Sequence, residues 1–414
     1  MDFSPLQEQA LGSVADWLRH HKTYRAGHAV GGEPSPVYRL FGYAGTGKTT
    51  LAKHFAKGVK GEVLFGAFTG KAALVLRQKG ALGASTIHQL IYRPTDRGTS
   101  RLKLLKAALE KLIKEKSKDD AKMRKLAHEI TDEEENLKQP AFSLNEESEV
   151  KDAALVIIDE VSMVGARMGK DLLSFETPVL VLGDPAQLPP VRDEGFFTAT
   201  EPDTLLTEIH RQAAKSPVIA LATSVRLGEG ITEGDYGSSH VVPRGVLGLE
   251  ELYGEHDIIL CGLNRSRKML NGRIRTELLG RTSHLPEVKD RLVCLQNNHD
   301  LGLLNGSLWT VLDTAVIDDD QIGLTIEGEA GEQITTEAHR HTFEDREVPF
   351  FDRRKADSFD YGYALTCHKA QGSQWKRVCV LDESSSFRQH RRNWLYTAIT
   401  RAAESVTVVT GRRV

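Results

Sequence analysis

Residues 42–49 read GYAGTGKT, and they stand between the apolar run VYRLFG and a helical stretch from about Lys48 to Lys57. The pattern G-x-x-x-x-G-K-[ST] at a strand-to-helix junction constrains the chain more than any other feature, because it dictates one backbone curl. Gly42, Gly45 and Gly47 let the chain turn so that its N–H groups converge on phosphate oxygens, with Ala44, Thr46 and Thr50 completing the segment. The helix that follows adds its positive N-terminal end. Lys48 can place a charge on the β and γ phosphates, and Thr49 offers a hydroxyl to Mg²⁺. The expected ligands are therefore ATP and Mg²⁺.

A second half of such a site follows in LVIIDEVSM, 155–163, where an apolar run ends in Asp159 and Glu160. An acid at that strand tip, Asp159, can hold Mg²⁺, and Glu160 can activate an attacking water. In VLGDPAQLPPV, 181–191, Gln187 is an uncharged amide just past another strand tip, placed to orient water. Two arginines complete the set, Arg211 in TEIHRQ and Arg401 in AITRA. Either alone would be a solvated surface charge. If two domains face each other, both can reach the γ-phosphate and stabilise the charge that spreads during transfer.

The rest of the chain has the rhythm of an α/β protein. Apolar positions Leu6, Ala10, Leu11, Val14, Trp17 and Leu18 form a helical stripe. Strands are expected at VYRLFG, 62–68, 154–159, 178–184, 256–262, 376–382 and 405–411, as continuous apolar runs separated by helical stretches. That is the signature of mostly parallel sheets buried on both faces, one before about residue 205 and one after it. Two stretches break the rhythm. Residues 101–139 are densely charged, with Leu102, Leu105, Leu109, Leu112, then Met123, Leu126 and Ile130 at helical spacing. They predict an antiparallel helical hairpin closed by Pro140, with a solvated charge run as the alternative. Residues 283–357 carry short β runs around turns such as Asn305-Gly306, which suits a small inserted barrel.

A chain of 414 residues suggests about two to four domains. It has no apolar run long enough to span a membrane, and MDFSPLQEQALGSV does not read as a secretory signal. Cys261, Cys294, Cys367 and Cys379 form no C-x-x-C pair, which suits reduced thiols in a cytoplasm. The net charge of −3 is unlike that of a protein that coats duplex DNA. A motor that grips a few nucleotides in a groove needs only the groove to be positive.

Taken in order, these segments resemble superfamily-one helicases, and within them the RecD-like branch that includes the phage helicase Dda. FSPLQEQAL resembles the adenine-reading Q motif, with Gln7 as the base contact; GYAGTGKTT resembles motif I and AFTGKAA, 67–73, motif Ia. ASTIHQL, 84–90, resembles the S-T-I-H motif, IIDEVSM motif II, and GDPAQLPPV motif III. The E-[IV]-x-R around Arg211 follows, then CGLNRSRKMLN near motif IV, ALTCHKAQGSQW, 364–375, as motif V with Gly372 at the nucleotide, and LYTAITRA, 395–402, as motif VI. The resemblance runs from about residue 3 to 410 and leaves out 93–150.

The resemblance implies two RecA-like P-loop motor domains with ATP between them. The first would comprise 1–92 and 151–205 with a helical insertion at 93–150, where relatives carry a small duplex-splitting pin. The second would comprise 206–282 and 358–414, with an SH3-like barrel at 283–357. It implies DNA contacts by Thr69, Lys71, Thr86 and His88, and by Thr366, His368 and Lys369. It implies 5′-to-3′ movement on single-stranded DNA and unwinding at single-strand/duplex junctions by a cytoplasmic monomer, with replication or recombination proteins as partners. Two alternatives stay open: a translocase that remodels without long unwinding, and a non-catalytic DNA-binding subunit of a recombination complex.

Overall fold

The computed structural model describes residues 3–25, 33, 35–94, 100–114, 122–130, 142–190, 195–209, 213–346, 348 and 356–411. Its frame is two six-stranded sheets and a five-stranded one. The first sheet runs, edge to edge, Ser85–Thr86, Val63–Ala67, Leu155–Asp159, Val179–Gly183, Val37–Gly42, Thr204–Leu206, all parallel. Alternation decides its faces. Leu155, Ile157, Leu180 and Leu182 point at helices Pro5–Arg25 and Lys48–Lys57, packing with Ala10, Val14 and Leu51. Val156, Ile158, Val179 and Val181 point the other way, onto Ile87, Ile91 and Leu172. Burial on both faces is why these strands read as unbroken apolar runs.

The second sheet has the order Ala364–Thr366, Ile258–Cys261, Trp375–Leu381, Ala402–Thr410, Ser239–Pro243, Gly234–Tyr236. Only the last pair is antiparallel. Ile258, Leu260, Val378, Val380, Val406 and Val408 face helices Pro217–Leu227 and Arg391–Ile399. Ser216 precedes Pro217 at the start of the first of these, and Gly228 ends it in the left-handed region at φ 83°. The opposite face, with Ile259 and Cys379, packs against Leu270 and Ile274.

The third sheet is antiparallel, in the order Gln333–His339, Gln321–Gly328, Leu308–Val316, Arg291–Cys294, Phe359–Tyr361. Its last strand lies beyond the expected boundary at 357, and its side chains Leu292, Trp309 and Ile326 share one core with Ile259 and Ala364 of the second sheet. Asp290, fully buried, ties the junction. It pairs with Arg281, lies 3.2 Å from Arg275 and accepts a hydrogen bond from the Tyr363 hydroxyl.

Between residues 92 and 144 the structure shows a two-stranded antiparallel ribbon, Tyr92–Pro94 with Phe142–Leu144, and helices at Ser100–Lys114 and 122–130. The polar run 116–120 and Pro140 lie outside the described residues. Several strands were not visible as apolar runs, among them Ser85–Thr86, Thr204–Leu206, Gly234–Tyr236, Ser239–Pro243 and Ala364–Thr366. Among the described residues no helix is long and apolar enough to cross a membrane.

Candidate active site

The glycine-rich turn has the geometry its composition demands. Gly45 and Gly47 both sit at φ 80°, a region L-residues avoid, and a Cβ on Gly42 would lie 2.6 Å from Thr46 Oγ1. Thr46, fully buried, donates its hydroxyl to Tyr43 O at 2.8 Å, closing the curl from inside. Lys48 Nζ donates to Gly42 O at 2.6 Å and Tyr43 O at 3.1 Å. Thr50 is exposed on the outer side of the helix. Gln7, expected at the base, braces the loop from behind: its Nε2 donates to Thr46 O at 3.0 Å and its Oε1 accepts from Ser4 N–H at 3.1 Å.

Thr49 donates its hydroxyl to Asp159 Oδ2 at 2.8 Å, so the loop and the acidic strand tip meet directly. Burial raises the Asp159 carboxyl above its ordinary range, as does the neighbouring Glu160 charge; Thr49, the Glu160 N–H and Lys48 oppose the rise. Glu160 itself sits at φ 53°, a left-handed backbone for a non-glycine residue, and its N–H donates to Asp159 Oδ1 at 2.8 Å. That turn sends the two carboxylates in different directions, Asp159 to Thr49 and Glu160 to the opposite wall.

The opposite wall comes from the second sheet: Gly372, Ser373, Gln374, Thr400 and Arg401 line the cleft with Lys48, Thr49, Asp159, Glu160 and Gln187. Arg401, 6% exposed, is held by Thr397 O at 3.2 Å and Ser373 O at 3.3 Å, and its Nη1 lies 3.8 Å from Glu160 Oε1. Gly372 (φ 76°) must be a glycine, since a Cβ there would come within 2.7 Å of Thr69 Oγ1. Gln187 reaches into the cleft, and its Oε1 accepts from Ser162 Oγ at 3.3 Å. Arg211 lies outside the described residues.

The residues expected at nucleic acid sit at or just beyond the C-terminal ends of parallel strands, in the strand tips and the turns and helices that follow them. Thr69 caps helix Gly70–Gln78, accepting from Ala72 N–H at 3.1 Å. Thr86 caps helix Ile87–Ile91 in a capping box with Gln89. Lys71 is 9% exposed, pairs with Glu329 at 2.8 Å and lies 4.9 Å over the Trp375 ring. His88 packs between Tyr92 and Phe142, centroids 5.4 Å and 5.8 Å away, and burial lowers its pKa. Thr366 is buried, His368 lies 5.7 Å from the Phe387 ring, and burial lowers the pKa of both His368 and Lys369.

Three residues at these contacts were not assigned a role from the sequence: Arg226 and Glu329 lie outside the motif segments, and Tyr396 lies inside LYTAITRA without being singled out there. Tyr396 bonds to both Ala44 and Asp184 across the cleft. Arg226 stacks its guanidinium 3.7 Å over the Tyr43 ring. Glu329 holds Lys71. Each acts between segments far apart in sequence, so spacing could not reveal them. The four cysteines are free and buried, with their thiols pushed up to about 12 by burial. Among the described residues no cluster of three or more His, Cys, Asp or Glu side chains could hold a metal ion.

Comparison with known proteins gives two family matches, the AAA domain over residues 24–240 and the UvrD-like helicase C-terminal domain over 361–409. The ATP-dependent RecD2 DNA helicase of Deinococcus radiodurans is 29% identical over 274 residues, which is 60% of this chain and 35% of that protein. A probable conjugal transfer protein TraA of Sinorhizobium fredii is 26% identical over 423 residues, 91% of this chain and 36% of that one. The chain thus spans about a third of the length of these curated relatives. Among solved structures, two coordinating Pif1 helicases at forked dsDNA superpose with TM-score 0.51 at 17% identity, over 98% of this chain and 92% of that one. Bacteroides Pif1 bound to ssDNA superposes with TM-score 0.50 at 16% identity over the same shares, 98% and 92%. These two establish a shared α/β fold with a parallel-sheet core.

Proposed function

Since the chain belongs to the AAA domain family and, within it, to the superfamily-one helicases of the RecD/Pif1 kind, we propose that it is an ATP-dependent DNA helicase. It moves 5′-to-3′ along single-stranded DNA and opens duplexes ahead of it. The observation that carries this reading is the cleft itself. One wall supplies Lys48, Thr49, Asp159 and Glu160, and the other brings Arg401 to 3.8 Å from Glu160. A binding module would have no use for that full set.

The residues fit Mg–ATP. Left-handed Gly45 and Gly47, and a Gly42 whose Cβ would fill the curl, form a cradle lined with N–H groups. Thr49 and Asp159 supply the hydroxyl and carboxylate that suit Mg²⁺. When bound, Mg–ATP supplies the phosphoryl group that is transferred to water. Lys48 neutralises phosphate charge, Glu160 accepts the proton of the attacking water, and Gln187 orients that water. Arg401 stabilises charge spreading in the transition state, with Arg211 assigned the same task. Because these groups sit on two sheets, loss of the phosphate they share would relax the cleft and turn chemistry into motion.

In this reading the two parallel sheets are RecA-like motor domains, 93–150 is a helical insertion, and the antiparallel sheet is an SH3-like insertion extended to Tyr361. Single-stranded DNA and its junctions with duplex are the partners, held by Thr69, Lys71, Thr86, His88, Thr366, His368 and Lys369. The polarity rests on the resemblance of 366–372, T-x-H-K-A-Q-G, to the RecD-like branch. A replication or recombination setting accords with the conjugal-transfer relatives. A translocase that remodels without long unwinding is the second reading, favoured by the charged helices Ser100–Lys114 and 122–130 where relatives carry a small pin. The test is a fluorescent unwinding assay with 5′-tailed and 3′-tailed duplexes of DNA and RNA. Unwinding of the 5′-tailed DNA alone supports the first reading. DNA-stimulated hydrolysis with displacement of a bound protein, but no unwinding, supports the second. Unwinding from the 3′ tail alone refutes the polarity.

A further inference from the structure

Tyr396 lies on helix Arg391–Ile399, the helix that leads into Arg401, and is 2% exposed. Its hydroxyl crosses the cleft and is used twice: it accepts from Ala44 N–H at 2.8 Å and donates to Asp184 Oδ2 at 2.7 Å. Ala44 is inside the glycine-rich curl, and Asp184 caps the tip of strand Val179–Gly183. The Asp184 carboxyl is buried and raised by that burial, with the Lys48 charge and the Tyr396 hydroxyl opposing the rise. Its other oxygen accepts from Ala186 N–H at 3.0 Å.

Neighbours on the same helix face take up the rest of the Asp184–Leu188 loop. Asn393 Nδ2 donates to Ala186 O at 3.1 Å and Gln187 O at 3.2 Å, and Thr397 Oγ1 accepts from Leu188 N–H at 2.8 Å. Positions 393, 396 and 397 share a face because the helical repeat puts them there. Tyr396 is the member of this face that also grips the phosphate loop.

Building on the function proposed above, we propose that Tyr396 is a positioning residue for phosphoryl transfer. It ties the wall that carries Arg401 to the phosphate loop and to Asp184, so that Arg401 reaches the γ-phosphate in register only while both hydrogen bonds are made. Without the hydroxyl, a half-buried N–H and a buried carboxylate oxygen lose their partner, and the closed cleft loses population to an open one. Lys48 and the loop N–H groups stay in place, so ground-state nucleotide binding survives. The loss falls on turnover.

The experiment is steady-state ATPase kinetics of the full chain with single-stranded DNA, beside binding of a fluorescent ADP analogue. For Tyr396→Phe, which keeps the packed ring, kcat falls roughly tenfold or more while KM for ATP and the ADP-analogue Kd stay within about threefold. A kcat within about twofold of wild type, or a loss confined to KM, overturns the proposal. Asp184→Asn gives the same split independently and carries the test if Tyr396→Phe melts below the assay temperature. The double variant is no slower than Tyr396→Phe alone, because both remove one linkage; additive losses overturn it. A wild-type chain without DNA-stimulated hydrolysis would refute the functional reading beneath it. An active wild type with an equally active Tyr396→Phe refutes this proposal alone.

Discussion

Arg401 Nη1 lies 3.8 Å from Glu160 Oε1, although the two residues stand on opposite walls of the cleft. The guanidinium is set by main-chain oxygens of its own wall, Thr397 O and Ser373 O, so its place does not depend on Glu160. Arg401→Ala is expected to spare ADP binding and to slow hydrolysis by roughly 10³-fold or more, as loss of an arginine finger does. Single-turnover hydrolysis beside ADP titration checks it. Intact hydrolysis would assign the transition-state charge elsewhere.

Lys48 holds the only side-chain ammonium that reaches the Gly42 and Tyr43 carbonyls among the described residues. Lys48→Ala should abolish DNA-stimulated ATPase while leaving the fold intact, since the curl is closed by Thr46 and braced by Gln7. Near-normal turnover would contradict the phosphate-site assignment.

Asp159 fixes a pH dependence. Burial raises its pKa above the ordinary carboxylate range, so its carboxylate protonates at higher pH than a solvated one, and activity that needs the ionised form is lost as pH falls through that raised value. Thr49 donates to the ionised carboxyl and opposes the rise. Thr49→Val removes that donor, so the acidic limb of kcat/KM for ATP should move to higher pH whatever happens to the plateau. A limb that stays put, or moves down, would dissociate Asp159 from the profile.

Asp290 supports the junction of the second and third sheets. It is fully buried against Arg275 and Arg281. Asp290→Ala takes the buried carboxylate from Arg281 and leaves Arg275 only Glu287, 3.7 Å away, and breaking a buried pair in this way costs about 3–5 kcal/mol. A drop of that size in a denaturant titration is expected, and a loss below about 1 kcal/mol would show that the arginines find other partners.

Much of the fold was legible because both parallel sheets are buried on two faces, which writes each central strand as an apolar run. Val37–Gly42, Leu155–Asp159 and Val179–Gly183 were plain for that reason. Ser85–Thr86 and Ala364–Thr366 were not, being too short to show a period. The phosphate loop was legible because only glycines tolerate its backbone. The set expected at DNA was read from motif order, and Thr69 and Thr86 show what order leaves out: their hydroxyls cap helices. The contacts of Tyr396 were not legible, although the residue lies in LYTAITRA, because Ala44 and Asp184 meet it only when the sheets come together.

The Glu329 carboxylate sits at the tip of a hairpin in the third sheet, yet it grips Lys71 beneath the first sheet at 2.8 Å and accepts from Trp375 Nε1 at 3.3 Å. A hairpin anchored in one half and moored to the other must stretch or let go whenever the halves swing apart. In the motor proposed above, the ion pair would act as a tether whose length limits how far the jaws open before the third sheet is dragged along or cast loose.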